Sequence, residues 1–249
     1  MLSESQRDGN TGILIGADDA LLKRYIPKEG FKSAVCAFLV KTGSQNILID
    51  TGTGSGGIIV DKVKKLLGGT DKVDAVLITH LHGDHFGSLH EGGKAVFPKA
   101  KVWLSAKERE YFTKTRVNQG AVSALAPYGE RVVTFDPPEL GTGGKEILPG
   151  ISAIAAYGHT PGHVLFMIEN GGEKLLIVGD LLHVAPVQFP RPDISATYDS
   201  DAAVAATVRK QVLDYAAKNK IPIGGMHLAY PGIGTVSVEG TGFNFTPIN

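Results

Sequence analysis

The sequence has little of what several protein classes require. Its 249 residues contain a single cysteine, no excess of either charge and no run of about 18 consecutive apolar residues. Without such a run, no segment is expected to span a membrane. The 25 basic and 25 acidic residues balance, whereas a surface that binds phosphates needs a cationic excess. We therefore expect neither a membrane nor a nucleic acid as a partner.

The single cysteine excludes an intrachain disulfide bond. Cys36 lies in an apolar run from 34 to 40, which predicts a buried, small hydrophobic side chain. The first residues of the chain lack the basic start and apolar core of a signal peptide. The sequence therefore predicts a cytoplasmic protein, or a secreted one if a leader has been removed.

Glycine and proline are abundant, with 32 and 13 residues, and they fall at the ends of short apolar runs. This pattern is typical of a chain with many strands and tight turns. In each half, β-like runs are followed by helical patterns, at 58–67 and 106–114 and then from about 201 to 218. We predict one α/β domain over residues 1–249, with two sheets packed together and helices outside.

The eight histidines of the chain are unevenly distributed. His80, His82 and His85 stand within six residues that also contain Asp84, directly after a predicted strand. This spacing cannot place all four side chains on one side of a helix or strand. A tight loop can turn them inward, because Gly83 permits the backbone conformations that such a loop requires. Imidazole and carboxylate groups together suit Zn²⁺ or a similar first-row ion. Three histidines in six residues exceed what chance gives, so a histidine-rich surface loop is the weaker interpretation.

Three further candidate ligands follow predicted strands, each close to a glycine. They are His159, Asp180 and His227. Ligands just beyond the ends of strands are what a site at the open edge of a sheet requires. Taken singly, each has a structural alternative, such as a turn at Asp180. Together with the first group they provide five histidines and two aspartates, enough for two metal ions.

These motifs resemble those of the metallo-β-lactamase superfamily, in the expected order and over roughly residues 35–230. The matching segments are His80-x-His82-x-Asp84-His85, Gly158-His159-Thr160-Pro161-Gly162-His163, Gly179-Asp180 and His227, together with the early element Asp50-Thr51-Gly52. The resemblance implies the αβ/βα four-layer sandwich of that family, with two mixed β-sheets and helices outside. It also implies two divalent metal ions, with Zn²⁺ as the expected element.

The resemblance assigns the ligands position by position. The first ion is assigned to His80, His82 and His159, the second to Asp84, His85 and His227, and Asp180 bridges the two together with a hydroxide. Asp50 is expected to be buried and hydrogen-bonded next to the ligands, the alternative being an ordinary turn at the end of a strand. His163 is expected to support the site rather than to bind metal, because His159 already fills the family position.

The implied chemistry is hydrolysis by a metal-bridging hydroxide, with Asp84 accepting or shuttling the proton. The segment 179–190 and the following Asp201 resemble the lactonase and methyl parathion hydrolase branch. We therefore expect lactones of the acyl-homoserine type as substrates, with phosphotriesters as a further class. Candidates for an apolar substrate pocket are Phe112, His183, Phe189 and Tyr198, each of which has ordinary packing as its alternative.

Other functions remain open at this point. A thioester or β-lactam hydrolase of the same fold is the alternative within hydrolases. A ligand-binding protein without catalysis is disfavoured because all seven ligand positions are filled. Members of the superfamily that catalyse redox reactions carry a glutamate where this chain has His82, so redox catalysis is disfavoured. Relatives in the lactonase branch are often homodimers, but no segment of this sequence indicates an interface.

Overall fold

The computed structural model describes residues 1–4, 6–54 and 58–248. The chain divides into two compact units. Unit 1 comprises Met1–Ser5 and Val35–Asp136, and unit 2 comprises Gln6–Ala34 and Pro137–Asn249. A single domain over residues 1–249 stays a prediction.

Many short strands and seven α-helices are formed by the described residues. The strands are β1 Leu2–Ser3, β2 Arg7–Asp8, β3 Leu14–Ile15, β4 Lys32–Ser33, β5 Cys36–Lys41, β6 Asn46–Ile49, β7 Ala75–Leu77, β8 His90–Glu91, β9 Lys94–Ala95, β10 Lys101–Ser105, β11 Val132–Phe135, β12 Lys145–Leu148, β13 Ile151–Ala155, β14 Val164–Asn170, β15 Glu173–Ile177, β16 Ser195–Ala196, β17 Ile223–Gly224, β18 Ile233–Glu239 and β19 Gly242–Pro247. The α-helices are α1 Asp19–Tyr25, α2 Ile58–Leu67, α3 Gly83–Phe86, α4 Ala106–Glu110, α5 Gln119–Leu125, α6 Ala185–Gln188 and α7 Ala202–Asn219.

Unit 1 is built on a six-stranded mixed sheet in the order β1-β5-β6-β7-β10-β11. The first two pairs are antiparallel, and β6, β7, β10 and β11 run parallel to one another. Helix α2 covers part of the unit's apolar core with Ile59 and Val63, both fully buried. Because β6 and β7 are parallel neighbours, the residues that follow them, Asp50 and the segment 78–85, meet at one edge of the sheet.

Unit 2 is built on a seven-stranded mixed sheet in the order β12-β13-β14-β15-β17-β18-β19. Only β15 and β17 pair in parallel, and the other neighbours are antiparallel. Strands β13, β15 and β17 therefore run in the same direction and end at the same edge. The predicted α/β class with two mixed sheets is confirmed.

The long helix of unit 2 is held against the loop after β13. Asp201 caps α7 by accepting a hydrogen bond of 3.0 Å from the backbone N–H of Val204. The loop passes so close that a Cβ on Gly158 would lie 2.4 Å from the backbone nitrogen of Ala205. Gly158 also has a φ of +125°, so both the close approach and the backbone conformation require glycine.

The helix predicted at 106–114 differs from the observed one in its second half. It begins at Ala106, capped by Ser105, but the α-helical hydrogen bonding stops at Glu110. The chain continues as the π-helix Tyr111–Thr115, in which the N–H of Arg116 donates to the carbonyl of Tyr111 at 2.7 Å. This wider turn accommodates one extra residue, for which the sequence carries no local signal.

Cys36 is fully buried on β5, as predicted. Burial raises the pKa of its thiol to about 11, so the side chain stays protonated and unreactive near neutral pH. In the described residues, no helix combines the length and the apolar character that a membrane crossing requires.

Candidate metal centre

In unit 1 the candidate ligands lie in one loop at the carboxyl end of β7. This segment, residues 80–85 with His80, His82, Asp84 and His85, is here called the ligand loop; its last residues form the start of α3. Glu108 of α4 is hydrogen-bonded to the backbone of the ligand loop. Its buried carboxylate accepts a hydrogen bond of 2.7 Å from the backbone N–H of Leu81.

The first two histidines of the ligand loop present nitrogen atoms to each other. Nε2 of His80 lies 3.1 Å from Nδ1 of His82. In a tetrahedral zinc site, Zn–N bonds of about 2.0–2.1 Å place neighbouring ligand nitrogens about 3.3–3.4 Å apart. The other ring nitrogen of His80 lies 3.1 Å from the hydroxyl of Thr79, which itself donates to Asp50 at 2.7 Å. This chain orients the His80 ring and favours a proton on Nδ1, which leaves Nε2 as the donor atom for a metal.

Asp50 fixes the third histidine of the loop. Its buried carboxylate accepts hydrogen bonds from Nδ1 of His85 at 2.7 Å and from the backbone N–H of Thr79 at 2.8 Å. Burial raises the pKa of Asp50, while the attraction of His85 and these hydrogen bonds act against that shift. With its proton held on Nδ1, His85 presents Nε2 as a metal-binding atom, in the carboxylate–histidine arrangement common at metal sites. Asp50 also has a φ of +57°, which is rare for a residue other than glycine.

Asp84 differs from the other carboxylates in its exposure. Its side chain is 30% exposed, and one carboxylate oxygen lies 3.5 Å from Nε2 of His85. The Asp84 carboxylate thus lies next to a candidate ligand nitrogen and also contacts solvent, so it can exchange protons with bulk water.

In unit 2 three candidate ligands follow the strands that end at one edge of the sheet. His159 comes after β13, Asp180 after β15 and His227 after β17. One oxygen of Asp180, Oδ2, lies 3.4 Å from Nε2 of His159 and 3.1 Å from Nε2 of His227. It also lies 3.2 Å from Nε2 of His183, so three imidazoles meet at one buried carboxylate oxygen. Asp180, His183 and His227 form a group whose ligand atoms all lie within 4.8 Å of one another.

Two of these imidazoles are oriented by a hydrogen bond from the opposite ring nitrogen. Nδ1 of His227 donates to the carbonyl of Ala34 at 3.0 Å, and Nδ1 of His159 donates to Asp199 at 2.8 Å. In a neutral imidazole with its proton on Nδ1, Nε2 carries a lone pair. That lone pair faces the anionic Asp180, which is favourable only with a proton or a metal cation between them.

The pKa of His159 reflects this demand for positive charge. Burial alone lowers it, but the hydrogen bonds and charges of Asp180 and Asp199 outweigh burial and raise it to about 9. The guanidinium of Arg209 lies 3.4 Å from the Asp199 carboxylate, whereas Oδ2 of Asp180 lies next to three imidazoles, those of His159, His183 and His227. A divalent cation held by Asp180 and His159 would supply positive charge there in place of the proton. The donor set of unit 2 therefore fits a metal site.

Both ring nitrogens of His163 are hydrogen-bonded to backbone groups. Its Nδ1 donates to the carbonyl of Ala156 at 3.0 Å, and its Nε2 accepts from the backbone N–H of Asp180 at 3.1 Å. Both ring nitrogens are thus engaged in holding the strand end on which Asp180 sits.

The four candidate pocket residues have different surroundings. Phe112 is buried in unit 1, with its ring centroid 5.9 Å from that of His82. In unit 2, the ring of Tyr198 is 53% exposed and lies 5.7 Å from that of His183. Phe189 is buried and stacks on Phe245 at 4.9 Å.

His183 itself is buried, and burial lowers its pKa to about 4, so the ring is neutral near neutral pH. Its backbone N–H donates to the Gln188 side chain at 2.7 Å. Among the described residues, its Nδ1 has no hydrogen-bond partner.

Three buried charged side chains around the candidate ligands were not predicted from the sequence. They are Glu108 in unit 1 and Asp199 and Arg209 in unit 2. Arg209 did carry a signal, because it stands at helical spacing between Ala205 and Leu213 on the face of α7 predicted to be apolar. Asp199 carried none, since nothing in the sequence separates it from Asp201, which proves to be the helix cap.

Comparison with known proteins agrees with this description. The model of the metallo-beta-lactamase superfamily matches residues 32–232. The hydrolase AbOPH of the beta lactamase superfamily superimposes with a TM-score of 0.87 and 28% identity, over 100% of this chain and 93% of its own. AidC, a dizinc quorum-quenching lactonase in complex with a product, has a TM-score of 0.87 and 25% identity, over 99% of this chain and 92% of its own.

Among curated proteins, the uncharacterized protein YobT of Bacillus subtilis (strain 168) is 34% identical over 152 residues, which are 59% of this chain and 61% of YobT. The chain spans about half the length of the curated relatives it matches. The family model alone covers well over half of the chain, from the strand preceding Ala34 to the segment after His227. The resemblance found in the sequence is thus confirmed, and the chain belongs to the metallo-beta-lactamase superfamily.

Proposed function

We propose that this protein is a dinuclear metal-dependent hydrolase that opens lactones of the acyl-homoserine type. One observation carries the metal dependence: the Nε2 atoms of His159 and His227, each oriented from behind, point at one buried oxygen of Asp180. The lactone substrate is supported by the likeness over nearly the whole chain to AidC, which is a dizinc lactonase.

The proposed ligand assignment is that of the family pattern. One ion is assigned to His80, His82 and His159, the other to Asp84, His85 and His227, and both to Asp180. In support, Nδ1 of His85 donates to Asp50 and Nδ1 of His159 donates to Asp199, and such a hydrogen bond fixes the tautomer in which Nε2 can bind a metal. Imidazole and carboxylate donors favour Zn²⁺, the metal we propose.

The groups at the proposed site have separate roles in the reaction. When bound by these residues, divalent ions would supply a hydroxide near neutral pH and would neutralise the charge that develops on the attacked oxygen. Asp84 would receive the proton that the nucleophile loses and deliver it to the alkoxide left when the acyl C–O bond breaks, because its partly exposed carboxylate lies 3.5 Å from Nε2 of His85, next to the candidate ligands. His183 and Tyr198 line the substrate side in this proposal, since their rings lie 5.7 Å apart and Tyr198 reaches solvent.

Phosphotriester hydrolysis is proposed as a secondary activity, because the segment 179–190 resembles the branch that contains methyl parathion hydrolase. The same charge neutralisation serves a carbonyl and a phosphoryl centre. The two substrates therefore compete for one set of groups rather than requiring two sites.

The substrate class is tested by comparing kcat/KM of the zinc-reconstituted protein on an acyl-homoserine lactone and on methyl parathion under identical conditions. We expect the lactone value to be higher by about 10²-fold or more, a difference of about 2.7 kcal/mol in transition-state stabilisation. The chelated protein in the same assays is the control for metal-independent hydrolysis. The reverse ratio would make the protein a phosphotriesterase. Negligible rates on both, with metal bound, would contradict the proposal and favour thioesters or β-lactams.

A further inference from the structure

Arg209 is a charged residue in the interior of unit 2. It lies on the inner face of α7, one helical turn from the buried Ala205 and Leu213, and only 1% of it is exposed. Removing a guanidinium from water is costly unless its N–H groups and its charge are all compensated. A helix that needed only an apolar face would carry leucine or methionine at this position.

The N–H groups of Arg209 reach three separate carbonyls. Nε donates to the carbonyl of Leu181 at 2.6 Å, and Nη1 donates to those of Pro192 at 3.0 Å and Ile194 at 2.9 Å. Leu181 is the residue directly after Asp180. The planar guanidinium therefore fixes the backbone that carries the proposed bridging ligand, and it does so from a rigid helix.

The fourth contact of Arg209 leads to a second ligand. Nη2 lies 3.4 Å from Oδ2 of Asp199, whose other oxygen accepts the 2.8 Å hydrogen bond from Nδ1 of His159. Oδ2 also accepts a hydrogen bond of 2.9 Å from the backbone N–H of Ala196. With Nε2 of His159 3.4 Å from Asp180, the contacts close a ring that runs from Arg209 through both ligands and back.

We infer that Arg209 is a positioning residue for the metal site: it sets the distance and orientation between His159 and Asp180 by holding Asp199 and the Leu181 carbonyl at once. This inference rests on the proposed metal-dependent function. Arg209 touches neither ligand side chain, so it acts through Asp199 and the backbone.

The test compares zinc affinity, measured by competition with a chromophoric chelator, in Arg209→Met, Arg209→Lys, Asp199→Asn and the double variant Arg209→Met/Asp199→Asn. We expect each single variant to bind zinc about 10-fold or more weakly, the usual effect of losing a group that orients a ligand. We expect the double variant to match Asp199→Asn within about twofold, because both changes break the same path.

Val212→Ala is the matched control, since it removes buried volume from the same helix without touching the ring of contacts. It is expected to lower the melting temperature and leave zinc affinity unchanged. Arg209→Lys keeps the charge and the length of the side chain but lacks the forked N–H donors of the guanidinium. It therefore tests the loss of those hydrogen bonds even if Arg209→Met fails to fold. Zinc affinity in Arg209→Lys equal to that of Val212→Ala, or fully additive losses in the double variant, would overturn the inference.

A second readout needs no metal. In the metal-free protein, the proton that His159 donates to Asp199 is expected as a separate downfield signal in the ¹H,¹⁵N spectrum of the histidine rings, and it is expected to shift or vanish in Arg209→Lys but not in Val212→Ala. If the wild-type protein binds no zinc yet this pattern holds, the proposed function fails and the positioning of His159 by Arg209 stands. An unchanged signal in Arg209→Lys would contradict the positioning itself.

Discussion

Replacing Asp84 or His227 by alanine is expected to lower kcat by more than about 10²-fold on the best substrate while the protein stays folded. His227 loses the Nε2 that lies 3.1 Å from Asp180, and Asp84 loses the partly exposed carboxylate proposed to take up the proton. A 10²-fold loss corresponds to about 2.7 kcal/mol, which is small against the several kcal/mol that activation of water at a metal supplies. The measurement is kcat together with metal content per chain for each variant.

Two matched variants separate this effect from general damage. His90→Ala removes a histidine of unit 1 that lies outside the candidate ligands, and Asp61→Ala removes an aspartate whose side chain is 76% exposed on α2. Both are expected to retain turnover within about twofold, as is usual for substitutions away from such sites. If Asp84→Ala or His227→Ala kept near wild-type turnover at full metal occupancy, the assignment of that ligand would be wrong.

Asp50→Ala is expected to destabilise the metal-free protein by about 3–5 kcal/mol. Removing this buried carboxylate leaves the groups that donate to it buried without a hydrogen-bond partner. The groups left behind are Nδ1 of His85 and both the backbone N–H and the hydroxyl of Thr79. Asp50→Asn keeps the volume but can place an N–H against Nδ1 of His85. The imidazole then carries its proton on Nε2, the atom needed for the metal.

Urea unfolding and zinc affinity together distinguish the two Asp50 variants. Asp50→Asn is expected to lose less stability than Asp50→Ala and still to bind zinc at least about 10-fold more weakly than the wild type. Asp74→Asn is the matched control, since Asp74 also accepts a backbone N–H, from Asn46 at 2.7 Å, but at an exposed position. It is expected to cost less than about 1 kcal/mol and leave zinc affinity unchanged. Wild-type zinc affinity in Asp50→Asn would show that the Asp50–His85 bond does not prepare the ligand.

Much of the fold was predictable from the sequence, because helices and strand ends are marked by patterns of neighbouring residues. The apolar spacing at 58–67 predicted α2 at its observed bounds. Candidate ligands at the ends of short apolar runs led to the strand ends of both sheets, because residues just beyond a strand are the ones free to turn toward a site. The π-helix Tyr111–Thr115 was not predictable, since a change from i+4 to i+5 hydrogen bonding leaves no compositional trace.

What sequence patterns could not reveal is which distant residue supports which ligand. Asp199 and His159 are 40 residues apart, and Asp50 and His85 are 35 apart. Asp50 was found only through a family motif, and Asp199 has no motif of its own. Such pairs are fixed by the meeting of strand ends and loops in three dimensions.

Hydrolysis by this chain is proposed to need two metal ions, and one titration tests that requirement most directly. Zinc is removed with a chelator, returned in known amounts, and bound zinc per chain is measured alongside the rate of lactone hydrolysis. We predict no activity without metal, saturation at two zinc ions per chain, and full activity only as the second ion binds. Activity that survives removal of the metal, or full activity with binding that saturates at one zinc ion per chain, would contradict the account.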